Sequence, residues 1–150
     1  MEIRIKVANP RLTDQLYEIE KKCFANEAFS KQQLRILLSS YNSEKLVASV
    51  DNNLIGFIIG RIELSDRKLV GHIMTIDVLP AYRRIGIAEK LMMEMEDIFR
   101  RKGSVESRLE VRKGNVAAIR LYEKLGYENV ALLENYYGKM HGYYLRKVFR

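Results

Sequence analysis

IMTIDVLPAYRRIGIA, residues 73–88, is the stretch that decides how this chain folds. It starts as an apolar, β-branched run typical of a buried strand, breaks at Pro80, and ends in basic residues and a glycine that open a helical pattern. From Gly86 to Arg101 the residues Ile87, Leu91, Met95, Ile98 and Phe99 recur at three and four, which predicts an amphipathic helix stopped near Gly103. A helix that starts this way leaves its first amides unpaired, at the positive end of its dipole, and so offers an anion site. Gly86 and Ala88 lack the bulk that would keep an anion away, and Arg83 and Arg84 can add charge-assisted hydrogen bonds. The loop 83–88 is therefore expected to cradle phosphates. The plainer alternative is a glycine that only starts a helix beside solvated arginines.

Working outward, residues 2–7 alternate polar and apolar as a half-buried strand does. Thr13 and Ser30 are the expected N-caps of helices near 13–24, with Leu16, Ile19, Cys23 and Phe24 on one face, and 30–39, with Leu34, Leu37 and Leu38. Lys45–Val50, Leu54–Leu64 and Leu69–Leu79 are rich in Ile and Val and read as an antiparallel meander, with Asp51-Asn52-Asn53 as its first turn. After the long helix come a strand at 105–111, a helix at 115–125 closed by Gly126, and a terminal strand pair at 127–133 and 142–149. The order is β-α-α-β-β-β-α-β-α-β-β. A crossover helix joins parallel strands, so 69–79 and 105–111 should lie side by side in a mixed sheet of the α/β or α+β class.

Composition narrows the function classes. A chain of 150 residues, 47% hydrophobic and 30% charged, suits one globular domain and excludes disorder and collagen-like repeats. No apolar run approaches the ~20 residues that span a bilayer, and the charged start at Met1 to Pro10 is unlike a signal peptide, so no membrane role is expected. A single cysteine, Cys23, rules out an internal disulfide and fits a reducing, cytoplasmic setting. The formal charge of +7, from 26 basic and 19 acidic residues, favours an anionic partner without selecting one.

Farther on, Leu109-Glu110-Val111-Arg112, Asn115, Ala117-Ala118-Ile119 and Leu121-Tyr122-Glu123-Lys124-Leu125-Gly126-Tyr127 follow in order. Together with Arg83-x-x-Gly86-x-Ala88 they resemble the GCN5-related N-acetyltransferase (GNAT) family, and most nearly its amino-terminal acetyltransferases of the RimI and archaeal Ard type. Asn135-Tyr136-Tyr137 continues the likeness, which covers 73–137 by motif and the rest by order of elements. The resemblance implies a GNAT-like α/β (α+β) fold over 1–150 as a single domain: a mixed, mostly antiparallel sheet of about seven strands with a splayed parallel pair, and four helices. It also implies transfer of the acetyl group of acetyl-CoA to the α-amino group of protein N-termini by direct attack on the thioester.

Position by position, the resemblance sets backbone groups of Ile76, Asp77 and Val78 against pantetheine. It gathers Arg83, Arg84, Ile85, Gly86, Ile87, Ala88 and Glu89 around the pyrophosphate. Ala88 stands where the family often has glycine, an accepted variant. Asn115 matches the side chain that bonds the cofactor arm and can cap its helix as well.

Transfer from a thioester to an amine needs a neutral amine, a donor for the developing oxyanion and a proton for the leaving thiolate. An α-amine titrates near ~8 and a lysine near ~10.4, so the first asks much less of a base. By resemblance, Glu110 is that base, acting through water, and Tyr122 is the acid; a backbone amide near Ile76 or Val78 would serve the oxyanion. As residues alone, Glu110 could instead be paired to an arginine and Tyr122 could be a core aromatic. His72 is an auxiliary base candidate at the start of the cofactor strand, and His141 a solvated loop residue. Neither histidine has ligand partners at a metal-binding spacing, so no metal is expected.

The amine enters opposite the cofactor. Segment 134–144, with Tyr136, Tyr137, Tyr143 and Tyr144, resembles the hairpin loop that covers the peptide in amino-terminal acetyltransferases. Phe24, Glu27 and Phe29, between the first two helices, form the other wall. The expected partner is a protein or peptide N-terminus, compatible with association with a ribosome or a partner subunit. The alternatives are acetylation of lysine side chains or polyamines, a non-catalytic CoA sensor, and nucleic-acid binding through Arg100, Arg101, Lys102, Arg146, Lys147 and Arg150. Those last charges sit at element ends and explain none of the phosphate-loop order, so no specific nucleic acid is expected.

Overall fold

The computed structural model describes residues 2–150. Its elements run β1 (Ile3–Val7), α1 (Thr13–Phe24), α2 (Lys31–Ser39), β2 (Ser43–Val50), β3 (Asn53–Ser65), β4 (Lys68–Val78), α3 (Ile87–Arg101), β5 (Glu106–Arg112), α4 (Val116–Lys124), β6 (Glu128–Tyr137) and β7 (Met140–Val148). This is the order that the hydrophobic pattern predicts. The strands form one seven-stranded sheet, β1-β2-β3-β4-β5-β7-β6, in which β4 and β5 are the parallel pair and the other neighbours are antiparallel.

Each face of the sheet carries a helix layer. On one, Leu16 and Ile19 of α1 and Leu34, Leu37 and Leu38 of α2 pack with Val47, Phe57 and Ile59. On the other, Leu91, Met92, Met95 and Phe99 of α3 and Tyr122 of α4 pack with Leu46, Ile58, Ile73 and Leu109. Phe99 fits so closely because its neighbours on β3 and β4 are glycines: a Cβ at Gly60 would lie 2.6 Å from the ring and one at Gly71 2.1 Å.

β4 and β5 pair only at Gly71–Ser107 and His72–Arg108. Just beyond, Ile59 pairs with Thr75 while Gly60 pairs with Ile73, so Met74 is an extra residue on β4. Such a bulge bends a strand and increases its twist. Past it β4 leaves β5, and a gap opens between residues 75–78 and 109–112. The bulge also switches faces. Ile73 lies on the α3 side before it and Ile76 and Val78 after it, while Thr75 and Asp77 turn toward α1.

Three local expectations are corrected. Ser30 does cap α2, in a capping box with Gln33, but Thr13 is the first residue of α1, not its cap. Its hydroxyl donates instead to the Pro10 carbonyl at 2.6 Å. The segment 134–144 is no loop: β6 continues to Tyr137 and β7 begins at Met140. Leu133 pairs with Gly142 and Tyr137 with Met140, so residues 134–136 bulge opposite His141. The Asn135 amide, at φ 51°, donates to His141 Nδ1 at 3.0 Å, so His141 pins the bulge instead of standing free in solvent. Tyr143 and Tyr144 lie within β7, opposite Val111 and Glu110.

Gly71→Ala should destabilise the fold by about 1–3 kcal/mol, since the added methyl must displace the Phe99 ring. Gly114→Ala, whose Cβ would meet only Met140 Cε at 3.9 Å, should leave stability nearly unchanged. Urea unfolding of the two variants checks the contrast.

Candidate active site

The start of α3 lies beside the gap. Gly86 sits there at φ 88° and Arg84 at φ 65°, a backbone path that turns successive amides the same way. The first bond of the helix runs from the Lys90 amide to the Gly86 carbonyl at 3.1 Å, so the amides of Ile87, Ala88 and Glu89 have no helical acceptor. Where Ser30 caps α2 and Asn115 caps α4, no side chain of the described residues caps α3. A Cβ built on Gly86 would meet nothing within 4 Å. The cradle is open, its donors are unpaired, and it fits an anion such as a pyrophosphate.

The strand beside it is only half available. The Leu79 amide donates to the Ile55 carbonyl of β3 at 2.9 Å, so by alternation the backbone groups of Asp77 also point into β3. Those of Ile76 and Val78 face the gap. Asp77 therefore does not offer the backbone contact that the resemblance implies, and its side chain is buried beneath α1 at 1% exposure. Arg83 is also placed differently: its Nε donates to the Val78 carbonyl at 2.9 Å, tying the loop to the end of β4. Its guanidinium thus braces the strand end and is not freely aimed at the helix start.

On the α1 side of the sheet, β5 turns Glu110 away from Leu109 and Val111, which are buried under α3. His72 Nε2 lies 2.8 Å from Glu110 Oε1, and His72 Nδ1 lies 3.2 Å from Glu63 Oε1. Arg61 Nη2 completes the chain at 2.8 Å from Glu63. Burial alone would lower the His72 pKa. The hydrogen bond and charge of Glu110, with the charge of Glu63, outweigh it and hold the ring above the usual histidine value. The protonated ring therefore persists at pH where a free histidine is neutral, and the ion pair is lost as pH rises through that raised value. Glu110 has a histidine partner, so the arginine pairing considered for it is not found.

On the α3 side, Tyr122 is 6% exposed and meets Tyr127 edge to face at 6.0 Å. Burial, then the charges of Tyr137 and Asp77, push its hydroxyl well above the ordinary tyrosine range, so it stays protonated at any physiological pH. Asn115 Oδ1 accepts the Ala118 amide at 3.2 Å as the cap of α4. Acid and base candidates thus stand on opposite faces of the sheet, with the gap between them.

The walls above Glu110 are as follows. Tyr136 is exposed, Tyr137 half-buried, and their rings meet edge to face at 5.0 Å. Opposite, Phe24 and Phe29 are half-buried and Glu27 is exposed. Glu27 forms an ion pair with Arg112, joining the α1–α2 connection to the end of β5. Glu63 and Arg61 are the additions here that motif matching missed, and Arg112, which lies in the matched motif, gains a role in its pair with Glu27. The first two could have been found only from strand register, which sets Arg61 opposite His72.

No helix among the described residues is long and apolar enough to cross a membrane, and no group of three or more His, Cys, Asp and Glu among them is arranged to hold a metal ion. Residues 13–127 match the acetyltransferase (GNAT) family. The chain is 34% identical to an N-alpha-acetyltransferase of Sulfurisphaera tokodaii, over 93% of this chain and 90% of that protein. Its fold superposes on Ard1 from Thermoplasma volcanium with a TM-score of 0.88 at 25% identity, covering 100% of this chain and 99% of the other. With the ribosomal-protein-S18-alanine N-acetyltransferase of Escherichia coli the TM-score is 0.88 at 22% identity, over 98% and 94% of the two chains. With an uncapped helix start, a bulged β4 and a family match over most of its length, the chain belongs to the acetyltransferase (GNAT) family.

Proposed function

We propose that this chain acetylates the α-amino groups of protein N-termini with acetyl-CoA as cosubstrate, and that the gap between β4 and β5 is where the amine meets the acetyl group. The observation that carries this reading is the placement of the Glu110–His72 pair and Tyr122 on opposite faces of that gap. Acetyl-CoA supplies the acetyl group as a thioester. The amides at the start of α3 hold its pyrophosphate, Ile76 and Val78 pair along its pantetheine, and Asn115 reaches its arm.

Glu110, held by His72, takes the proton of the incoming ammonium, directly or through one water. His72 Nε2, 2.8 Å from Glu110 Oε1, holds that carboxylate in place beside the gap. Tyr122, kept protonated by burial, gives its proton to the departing sulfur. A backbone amide of Ile76 or Val78 faces the gap and can stabilise the carbonyl oxygen. Tyr136 and Tyr137 on one side, with Phe24, Glu27 and Phe29 on the other, hold the first peptide bonds. The Sulfurisphaera relative is an N-alpha-acetyltransferase, which supports the α-amine as substrate, as does the lower pKa of an α-amine compared with lysine. The proposal includes cytoplasmic residence and association with a ribosome or a partner subunit.

Mass spectrometry of a peptide incubated with acetyl-CoA in free, amino-blocked and lysine-free forms tests it. Acetylation should require the free amino terminus and survive removal of lysine, whereas faster modification of the blocked, lysine-containing form would overturn the α-amine assignment. Tyr122→Phe keeps the ring and deletes the proton, so turnover should fall by ~10²-fold or more with acetyl-CoA affinity nearly unchanged in calorimetry. Glu110→Gln should lose most rate at low pH and recover part of it as pH rises toward ~8, where solvent deprotonates the substrate. A defect independent of pH in a kcat/KM profile would mean that Glu110 acts only through structure.

A further inference from the structure

Beneath the α1–α2 connection lies a polar cluster that the chemistry above does not use. Glu20 of α1 and Asp77 of β4 are each 1% exposed, and Thr75 is 7% exposed. Glu20 Oε2 accepts the Phe29 amide at 2.9 Å. The Thr75 hydroxyl lies 3.1 Å from Glu20 Oε1 and 2.7 Å from Asp77 Oδ1, and its one proton can serve only one of them at a time. Asp77 Oδ2 is buried with no hydrogen-bond partner among the described residues. Two carboxylates this close and this dry cannot both stay charged. Burial first, then the charge of Glu20, hold Asp77 well above the usual carboxylate range, and a protonated Asp77 is a further donor toward Glu20.

The position of the cluster matters more than its chemistry. Thr75 and Asp77 lie on the stretch of β4 just past the Met74 bulge, on the face opposite Ile76 and Val78. Phe29 lies in the connection that carries Phe24 and Glu27. Past the end of α1, Ala25 at φ 48° turns the chain out of the helix, and the Ala28 amide bonds only back to Ala25, at 3.2 Å. The Glu20 carboxylate is thus a strut between this connection and the strand that borders the gap.

We propose that Glu20 is a positioning residue for the peptide wall, holding Phe24, Glu27 and Phe29 at a fixed distance from the acetyl-binding gap through Phe29 and the Thr75–Asp77 pair. This rests on the reading of that connection as a peptide wall. Glu20→Leu keeps the volume and removes the acceptor. Glu20→Asp keeps the charge but withdraws it from Phe29, and carries the test if the leucine variant does not fold. Glu20→Gln keeps a carbonyl for Phe29 and offers an N–H to Asp77.

The experiment is hydrogen exchange of the substrate-free protein beside steady-state kinetics at saturating acetyl-CoA. In Glu20→Leu and Glu20→Asp, segment 25–30 should exchange faster while α3 keeps its protection. The peptide KM should rise by about tenfold with kcat within about twofold, as expected for losing one buried hydrogen bond that acts on binding. Glu20→Gln should restore both. Wild-type exchange and KM in the leucine and aspartate variants would overturn the proposal, as would a loss of kcat that glutamine fails to rescue. Faster exchange with an unchanged peptide KM would overturn it through its premise, showing that Glu20 holds the connection but that the connection does not bind peptide.

Discussion

One extra residue in β4 governs the rest of the structure. Without Met74 out of register, β4 and β5 would continue as an ordinary parallel ladder past His72 and Arg108, their backbone groups would satisfy each other, and no gap would exist. The bulge exchanges those ladder bonds for an edge in the middle of a sheet, an arrangement that sheets ordinarily avoid because unpaired backbone groups invite a partner strand. Here the groups left without a strand partner are those of Ile76 and the Val78 amide, the Val78 carbonyl being held by Arg83, and an extended ligand can take the place of the missing strand. The same residue inverts the facing of β4. Upstream, His72 stands with the polar face that holds Glu63 and Glu110; downstream, Thr75 and Asp77 turn under α1 while Ile76 and Val78 join the α3 side.

The polar groups around the gap are sorted by what each face can solvate. On the α1 side the chain Arg61–Glu63–His72–Glu110 is partly open to water and its charges alternate, so each carboxylate has a cation or a proton donor beside it. Tyr122, on the other face, is buried, and that burial keeps its hydroxyl protonated at physiological pH. A buried phenol there is a donor by environment, and a partly buried carboxylate beside a histidine is placed as an acceptor.

How much of this was readable from the amino acids depends on whether a feature is local. The unit 73–88 is legible because Pro80, Gly86 and the three-and-four spacing after it act within a few residues. Ser30 likewise announces its helix, since a capping box needs only Gln33 three positions on. Thr13 misleads because Pro10 opens a short turn that consumes its hydroxyl before the helix begins. The bulge at Met74 is invisible in the run Ile73-Met74-Thr75-Ile76, where any residue could be the extra one and only pairing with Ile59 and Gly60 decides. Asp77 shows the same limit: its place in the motif suggested contact with a ligand, but strand alternation turns its backbone into β3 and its side chain into the cluster with Glu20. The β6–β7 hairpin reads as a loop because Glu134 and Asn135 interrupt the alternation, and the pairing that continues past them is fixed by His141.

The notch that Gly60 and Gly71 make for Phe99 has a mechanical consequence. A fifteen-residue helix such as α3 is about 22 Å long, and sliding it by one turn would carry its leading amides about 5 Å. Phe99 sits near the trailing end with its ring keyed into two adjacent strands, so the helix can neither slide nor roll without lifting that ring out of the sheet. The leading end, which no side chain caps, is thereby clamped at a distance by a lock near the other end of the same rod. Its amides are already aimed before an anion arrives, and little ordering entropy remains to be lost on binding.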